Sequence, residues 1–459
     1  MKVTDTIAAI ASATGNSGIG VIRISGEDAF SIIDKIFRPA KEGKNILDVQ
    51  SHTIHYGNIV DGDEVIDEVL VLVMKGPHSY TAEDTVEIDS HGGILVMKKI
   101  LSIVLKNGAR SAQPGEFTKR AFLNGRIDLS QAEAVMDVIN SSSEMALKSS
   151  VNQLKGNVKE AIQSIRADII YHIAFIESAL DDPEHISLDG YTETIGSTVQ
   201  DNIIKIQKLI NSFDNGKIMK EGINTVILGK PNAGKSSLMN IMVGEDRAIV
   251  TEIAGTTRDT LSEYIKLGDV SLNIVDTAGI RETDDVVEKI GVNKALDIAK
   301  DCDLIIYVVD GSIELDENDY RIIDFIKYRK TVILLNKADK DIVISKEKIK
   351  ELTDIEPIVV SAKEKTGFDE MNDIIRNMFY EGDVSYNNEV YITNVRHKEA
   401  LENALDSLNQ VMNSIQNDMP EDFYSIDLMD AYTSLGLIIG ESVEDDLVNE
   451  IFSKFCMGK

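Results

Sequence analysis

The sequence predicts a multidomain protein that combines α/β and all-α parts, with a doubly wound P-loop domain inserted into a helical domain. Its 459 residues and 43% hydrophobic content allow about three domains with cores of their own. Four apolar runs between residues 221 and 382 each lead into a polar or glycine-containing motif, as in a parallel α/β sheet. Helical periodicity lies on both sides, at 119–220 and 383–459. Because insertion is tolerated when the ends of the inserted unit lie close together, we expect the two helical segments to form one discontinuous domain.

The N-terminal region, residues 1–118, is predicted to be an α+β domain, because short apolar or alternating runs occur beside stretches of helical spacing. The predicted strands are Thr6–Ile10, Gly20–Ile24, Val69–Val73 and Thr85–Ile88, and the predicted helices are 27–37 and 93–106. Arg23 and Glu87 interrupt two of these strands, and the pattern leaves open whether they are solvated or functional. His91 has no second His or Cys at ligand spacing, which favours a turn or helix-entry role over a metal site.

The helical segments are predicted from amphipathic spacing and from polar helix starts. A helix is expected to begin at Asp128–Ala134, and Asp181–Glu184 is expected to interrupt the helical pattern. The further predicted helices are 145–180, 190–213, 396–417 and 424–455.

The composition excludes several classes of function. A net charge of −30 argues against binding the phosphate backbone of nucleic acid as the main activity, because that needs a basic surface and no Lys/Arg run occurs. The two cysteines, Cys302 and Cys456, lie far apart, and no apolar run approaches the length of a membrane span. The chain is therefore expected to be cytoplasmic. Cys456 lies four residues from the end, but the residues after it do not suit prenylation, which leaves an active-site thiol or an ordinary tail.

A P-loop sequence lies at the centre of the predicted α/β domain. Residues 229–237 read Gly-Lys-Pro-Asn-Ala-Gly-Lys-Ser-Ser, after the apolar run 225–228 and before an apolar helix start. In this context the glycines let backbone N–H groups surround a polyphosphate, Lys235 contacts the β- and γ-phosphates, and the Ser236 hydroxyl ligates Mg²⁺. The strict spacing favours nucleotide binding over a simple turn.

The motifs that follow predict guanine as the base. Asp339 ends the motif after the apolar run 331–335, and its carboxylate can accept two hydrogen bonds that guanine donates and adenine does not. The segment Ser361–Lys363 is expected to contact guanine O6, and Asp276–Gly279 to hold Mg²⁺ through water and sense the γ-phosphate. The predicted GTP-binding residues are Asn232, Ala233, Gly234, Lys235, Ser236, Ser237, Thr251, Glu252, Ile253, Ala254, Gly255, Thr256, Thr257, Asp276, Thr277, Ala278, Gly279, Asn336, Lys337, Ala338, Asp339, Ser361, Ala362 and Lys363.

The catalytic group of this predicted GTPase is not the usual one. Ile280 follows Gly279 where Ras-like enzymes have a glutamine that orients the attacking water. Because isoleucine cannot orient water, Glu282 is the nearest candidate, although it could also be a solvated charge in an acidic loop. Thr257 is the predicted Mg²⁺ ligand of the first switch segment. Arg258 and Cys456 complete the set of catalytic candidates.

The whole chain resembles the MnmE (TrmE) family of tRNA modification GTPases. The resemblance is carried by the GTPase motifs and by segments in family order from residue 20 to the last residue. They are Gly20–Gly26, Ser79–Asp84, Pro114–Phe122, Gln131–Ala134 and Cys456–Lys459. Ala82 stands where the family usually has Gly, and Met457 where it usually has Ile.

The resemblance implies an N-terminal dimerisation domain at 1–118 that binds a tetrahydrofolate one-carbon derivative, either 5-formyl- or methylene-tetrahydrofolate. It also implies a helical domain at 119–220 and 383–459 and an inserted GTPase domain at 221–382. Folate contacts fall on Arg23, Glu87, Arg126 and Lys459, and ligands of K⁺ fall on Asn232, Thr251, Ile253 and Thr256. The water-orienting glutamate of the family falls on Glu282.

The implied function is addition of an aminomethyl or carboxymethylaminomethyl group to C5 of the wobble uridine of certain tRNAs. The implied assembly is a homodimer that acts with the flavoprotein MnmG as a heterotetramer. Most contacts with tRNA are expected to come from the partner, and no association with a membrane is expected. Two alternatives stay open. The first is a ribosome-assembly GTPase of the same superclass, which should carry a basic RNA-binding domain, and none is visible in the sequence. The second is a folate-binding scaffold protein, which should have a decayed nucleotide site, whereas the phosphate and guanine motifs of this chain are intact.

Overall fold

The protein forms two compact units in a computed structural model. The first comprises the described parts of residues 1–136, 153–199 and 406–459, and the second those of 137–152 and 200–405. The structure describes residues 5–13, 15–41, 43–141, 143–188, 190–245, 263–267, 270–275, 295–379, 390–441, 445–453, 455–456 and 458. Within these ranges no helix combines the length and the apolar character needed to cross a membrane.

The first unit contains a mixed sheet of seven strands in the order β3-β4-β5-β6-β2-β1-β7. Adjacent strands pair antiparallel except β1 and β7, which are parallel. The strands are β1 Ile7–Ile10, β2 Ser17–Ser25, β3 Phe37–Pro39, β4 Thr53–Asp61, β5 Glu64–Met74, β6 Thr85–Gly92 and β7 Arg110–Ser111.

Two helices, α1 at Ala29–Ile36 and α2 at Ile94–Lys106, contribute to one core with this sheet. The alternate residues Ile22 and Ile24 of β2 and Val86 and Ile88 of β6 lie in that core. Because successive strand residues point to opposite faces, the residues between them lie on the other face. That face is where the sheet presents polar side chains.

Nine helices among the described residues flank the second sheet in the order of the chain. Those before it are α3 Glu116–Leu123, α4 Leu129–Ile139, α5 Glu144–Leu154, α6 Asn157–Asp181, α7 Tyr191–Asn211 and α8 Phe213–Glu221; those after it are α13 Val395–Gln416, α14 Glu421–Ile439 and α15 Asp445–Ser453.

Two of the predicted long helices are wrong, because each is two helices separated by a glycine. Gly156 (φ +102°) divides 145–180, and Gly440 (φ +86°) divides 424–455. A Cβ on Gly440 would lie 2.7 Å from Phe122 and 2.8 Å from Leu129, so the chain also passes too close for a side chain.

The second unit contains a six-stranded sheet in the order β13-β12-β11-β8-β10-β9. All its described neighbours are parallel except β9 and β10. The strands are β8 Ile223–Leu228, β9 Glu263–Leu267, β10 Val270–Ile274, β11 Leu304–Asp310, β12 Thr331–Asn336 and β13 Ile358–Val359, and the associated helices are α9 Lys235–Glu245, α10 Glu317–Ile326, α11 Lys346–Thr353 and α12 Phe368–Phe379.

Both faces of this sheet are covered. One core contains Ile227 and Val308 with residues of α9 and α12, and the other contains Val226 and Tyr307 with residues of α10 and α11. Strand β8 lies between β10 and β11, where the strand order changes direction. In such sheets ligands bind outside the carboxyl ends of the strands at this position. The predicted combination of α/β and helical parts is therefore confirmed, including the doubly wound sheet.

Candidate functional site

The turn after β8 has the backbone that the P-loop sequence predicts. Gly229 (φ +150°) and Gly234 (φ +108°) adopt positive φ values that favour glycine. A Cβ at Gly229 would lie 2.4 Å from the Val308 carbonyl oxygen, and one at Gly234 would lie 2.0 Å from Asn336 Nδ2. The loop therefore passes so close to its neighbours that neither glycine could carry a side chain. It ends where α9 begins at Lys235.

Lys235 lies over the beginning of this loop. Its Nζ donates to the carbonyl oxygens of Gly229 at 2.7 Å and Lys230 at 2.8 Å. Burial lowers the pKa of Lys235 to about 8, because removal from water disfavours the charged ammonium. Among the residues that the structure describes, the ammonium has no carboxylate partner, and a polyphosphate would supply negative charge there.

Asn336 joins three of the predicted motifs. It ends β12, is 3% exposed, and donates from Nδ2 to the Ala233 carbonyl at 2.8 Å. Its Oδ1 accepts from the Ala362 backbone N–H at 3.0 Å. The buried amide therefore fixes the P-loop and the segment after β13 relative to the end of β12.

Asp339 is held as a charged acceptor beside this amide. The Ser361 hydroxyl donates to Asp339 Oδ1 at 2.9 Å, and that hydrogen bond lowers the pKa of the carboxyl group. Lys363 Nζ lies 3.9 Å from Oδ2, but its side chain is largely exposed. An ionised carboxylate with remaining acceptor capacity is the group that paired guanine N–H donors require.

Lys337 adopts a left-handed backbone (φ +68°) and pairs with Asp310 at the end of β11. Burial favours the neutral Asp310 carboxyl, but hydrogen bonds from Lys337 and Ser312 outweigh it and lower its pKa. The sequence analysis did not identify Asp310, although a carboxylate at a strand end beside this motif was an available signal.

The structure describes only part of the predicted nucleotide site. Asn232, Ser236 and Ser237 are exposed on the P-loop side, and Ala338 is half-buried after Lys337. The candidates that lie outside the described residues are Thr251, Glu252, Ile253, Ala254, Gly255, Thr256, Thr257, Arg258, Asp276, Thr277, Ala278, Gly279 and Glu282.

A second polar cluster lies in the first unit. Arg23 and Glu87 are register partners in β2 and β6, and Arg23 Nε lies 2.6 Å from Glu87 Oε1. Arg23 Nη1 also donates to the Gly458 carbonyl at 3.3 Å. The guanidinium carbons of Arg23 and Arg126 lie 5.1 and 4.9 Å from the centre of the Tyr80 ring. The structure thus brings two arginines to one aromatic side chain, and Arg23 also contacts Glu87 and the C-terminal segment.

Tyr80 is the member of this cluster that the sequence analysis did not select. Its hydroxyl lies 2.9 Å from Thr118 Oγ1, and the Arg23 guanidinium also lies 5.6 Å from the Phe117 ring. The aromatic residues Tyr80 and Phe117 within segments 79–84 and 114–122 were the signal that could have indicated it. Cys456 is exposed and accepts at its carbonyl from Gly115 N–H at 3.3 Å, and Lys459 lies outside the described residues.

His91 has the role of a residue at the entrance to a helix. It lies near the end of β6, Gly93 is the N-cap of α2, and His91 Nδ1 lies 2.7 Å from Asp67 Oδ1. In the part of the chain that the structure covers, no group of three or more His, Cys, Asp or Glu side chains could hold a metal ion.

Comparisons with known proteins cover almost the whole chain. Residues 6–126 match a family described as GTP-binding protein TrmE N-terminus, and residues 129–456 match the MnmE helical domain. A relative from Lachnoclostridium phytofermentans named tRNA modification GTPase MnmE is 59% identical over 456 residues, covering 99% of this chain and 100% of the relative. Relatives with the same name from Acetivibrio thermocellus and Clostridioides difficile are 47% and 46% identical, with complete coverage of both chains.

A solved structure of an Aquifex aeolicus Era variant bound to GDP.AlF4- is also similar over part of the chain. It is 25% identical, with coverage of 40% of this chain and 66% of that one, at a TM-score of 0.26. That score is too low to support an argument.

Proposed function

This chain belongs to the MnmE family of tRNA modification GTPases, and from that premise we propose which modification it performs. It uses GTP hydrolysis to support addition of an aminomethyl or carboxymethylaminomethyl group to C5 of the wobble uridine of certain tRNAs. The carbon comes from a tetrahydrofolate one-carbon derivative. In this reaction the chain acts with the flavoprotein MnmG.

The observation that supports GTP as the nucleotide is the position of Asn336. Its amide bonds both to Ala233 in the P-loop and to Ala362 after β13, while Asp339 remains a charged acceptor beside Ser361. The phosphate loop and the base-recognition segment are therefore held together at one edge of the sheet. A buried amide that satisfies two backbone groups leaves little freedom to either segment.

In this proposal Lys235 contacts the β- and γ-phosphates, and Mg²⁺ is held by Ser236 and Thr257. The metal supplies charge neutralisation on the phosphate oxygens. Glu282 orients the attacking water because Ile280 cannot, and Arg258 lies in the first switch segment. K⁺ is held by the amide oxygen of Asn232 and by Thr251, Ile253 and Thr256. Asn232 is exposed in a left-handed conformation (φ +61°), so its side chain is accessible to a cation.

The folate derivative is assigned to Arg23, Glu87, Arg126 and Lys459. The donor set around Tyr80 fits such a ligand, since a carboxylate can accept from the N–H groups of a pterin and guanidinium groups can bind an anionic tail. The aromatic ring adds a flat apolar surface for a heterocycle. Cys456 is exposed in the same C-terminal segment, where its thiol could take part in the chemistry.

The chain acts as a homodimer, joined through the N-terminal domain, and forms a heterotetramer with the flavoprotein. With a net charge of −30, the chain is poorly suited to hold tRNA alone, so we assign most tRNA contact to the partner. The reaction takes place in the cytoplasm, where the substrate tRNA is found.

The test is nucleoside analysis of tRNA from a strain that lacks this chain. We expect wobble uridines without the C5 substituent, restored by the wild-type chain and not by Lys235→Met, which removes the charge that contacts phosphate. Purified wild-type protein should hydrolyse GTP in parallel. Unchanged wobble nucleosides in the deletion strain would contradict the tRNA function. If the purified protein nevertheless hydrolysed GTP, the assignment as a GTPase would stand.

A further inference from the structure

The second residue of the P-loop, Lys230, is tied to a buried carboxylate network. Its side chain is 10% exposed, and its Nζ lies 2.6 Å from Asp319 Oδ2 and 3.0 Å from Asp316 Oδ2. Both aspartates belong to the beginning of α10, where Asp316 is the N-cap and Asp319 the third residue of a capping box. The first turn of α10 therefore holds the start of the P-loop.

The network is fully satisfied on the carboxylate side. Asp319 is 2% exposed, accepts at Oδ1 from the Tyr307 hydroxyl at 2.9 Å, and accepts at Oδ2 from the Asp316 backbone N–H at 3.0 Å. Asp316 Oδ1 accepts from the backbone N–H groups of Asn318 and Asp319. Burial lowers the pKa of Lys230, but the hydrogen bonds that its ammonium donates to the two aspartates outweigh this effect and raise that pKa. Lys230 is thus charged and committed to these partners, so it is not a phosphate ligand.

The backbone of the same residue supports the phosphate-binding lysine. The Lys230 carbonyl accepts from Lys235 Nζ at 2.8 Å, beside the Gly229 carbonyl at 2.7 Å. Gly229 is in turn pressed against β11, where a Cβ would lie 2.4 Å from the Val308 carbonyl oxygen. Moving the start of the loop away from α10 would move both carbonyls that position the Lys235 ammonium.

We propose that Lys230 is a positioning residue for the phosphate site: its ion pairs with Asp316 and Asp319 fix the first residues of the P-loop, and thereby the place of Lys235. The inference rests on the GTP-binding role of this loop. It assigns no contact with nucleotide to Lys230, whose effect passes through the backbone. It concerns the first residues of the loop, whereas Asn336 holds the later residue Ala233 beside the guanine-recognition segment, so we expect base preference to be unaffected.

The test measures GDP and GTP affinity of the full-length protein with fluorescent nucleotides. We expect Lys230→Met to raise both Kd values by about tenfold or more, as for loss of a hydrogen-bonded charge. Lys230→Arg should recover most of the loss because it keeps the charge. The ratio of GTP to xanthosine triphosphate affinity should not change in either variant. Lys327→Met removes an exposed ion pair on the same helix and should bind as the wild type does.

Two further variants separate positioning from general stability. Asp316→Asn keeps an N-cap side chain but removes one charge, so affinity should fall several-fold without a lower thermal midpoint. Lys230→Met combined with Asp316→Asn should lose no more than Lys230→Met alone, because the two act through one interaction. Wild-type affinity in Lys230→Met, or additive losses in the double variant, would overturn the proposal. Failure of the wild-type protein to bind GDP would instead contradict the nucleotide function.

Discussion

Arg23 Nε lies 2.6 Å from Glu87 Oε1, between residues that are direct register partners in β2 and β6. Both side chains are half-buried, and they lie on the face of the sheet opposite its core. An ion pair in this position is partly shielded from water, and a ligand beside Tyr80 could use either partner. The pair therefore gives a specific way to test the folate proposal.

We predict that Glu87→Gln weakens binding of 5-formyltetrahydrofolate by about tenfold or more, because it removes a charged acceptor while keeping the shape of the side chain. Calorimetry on the full-length protein measures the effect. Glu64→Gln is the matched control, since Glu64 forms a 2.7 Å ion pair with Lys99 that is exposed on both sides. GTP hydrolysis should be unchanged in both variants. Equal folate affinity for Glu87→Gln and wild type would contradict the assignment.

We predict that Asp339→Asn shifts the base preference from guanine towards xanthine. An amide offers one acceptor and one donor where the carboxylate offers two acceptors, but the Ser361 hydroxyl can still donate to its oxygen. Discrimination in favour of GTP should fall by roughly 10⁴-fold, as in other buried hydrogen-bonding pockets. Competition between the two triphosphates measures this, with Asp341→Asn as an exposed neighbouring control. A retained preference for GTP would count against the role of Asp339.

We predict that nucleotide binding becomes linked to proton uptake above pH 8. Burial lowers the pKa of Lys235 to about 8, and bound phosphate raises it again. Below that pH the ammonium is already charged, so affinity should vary little through this group. Above it each binding event must take up a proton, and affinity for GDP should fall towards about tenfold per pH unit. Calorimetry at pH 8.5 in two buffers of different ionisation enthalpy measures the uptake. Zero net uptake at that pH would contradict the prediction.

The order of motifs along the chain was enough to predict the doubly wound sheet, because each motif follows an apolar run that becomes a strand. Residues that act across strands were harder to predict. Tyr80 lies between β5 and β6, Arg23 in β2 and Arg126 after α3, and the three side chains come together only in the folded unit. Asp310 and Asp319 have buried carboxylates whose partners, Lys337 and Lys230, lie 27 and about 90 residues away in sequence.

Helix breaks and one inner strand of the first sheet were the other features that periodicity did not reveal. Gly156 and Gly440 interrupt amphipathic patterns that continue on both sides, so the apolar spacing predicts one helix where two exist. Strand β4 was not predicted, although Ile54 and Tyr56 alternate with buried His55. Because the apolar residues are exposed and the polar His55 is buried, the alternation is the reverse of the usual pattern with apolar residues inside. A glycine that must have positive φ was the local signal for the helix breaks.

The last prediction concerns the monovalent cation. No Ras-type glutamine follows Gly279, so a monomeric site should be slow, and K⁺ held by Asn232 and residues 251–256 is the proposed source of the missing positive charge. A cation there neutralises charge that develops between the β- and γ-phosphates, as an arginine finger does, a role worth roughly 10³- to 10⁵-fold in other GTPases. Turnover should rise with K⁺ and barely with Na⁺, whose smaller radius suits fewer and shorter oxygen contacts.

Asn232→Ala provides the decisive comparison. It should abolish the K⁺ response because it removes an amide oxygen ligand, yet it should spare GDP binding, since the P-loop contacts from Asn336 to Ala233 and from Lys235 to Gly229 do not involve its side chain. Association of the protein in the presence of a transition-state analogue should show the same preference for K⁺, because we expect the cation to be held when the GTPase domain closes against that of a second chain. Equal rates of GTP hydrolysis by the wild type in matched KCl and NaCl would contradict the proposed cation site. If Asn232→Ala still responded to K⁺, Asn232 would not be a ligand of the cation.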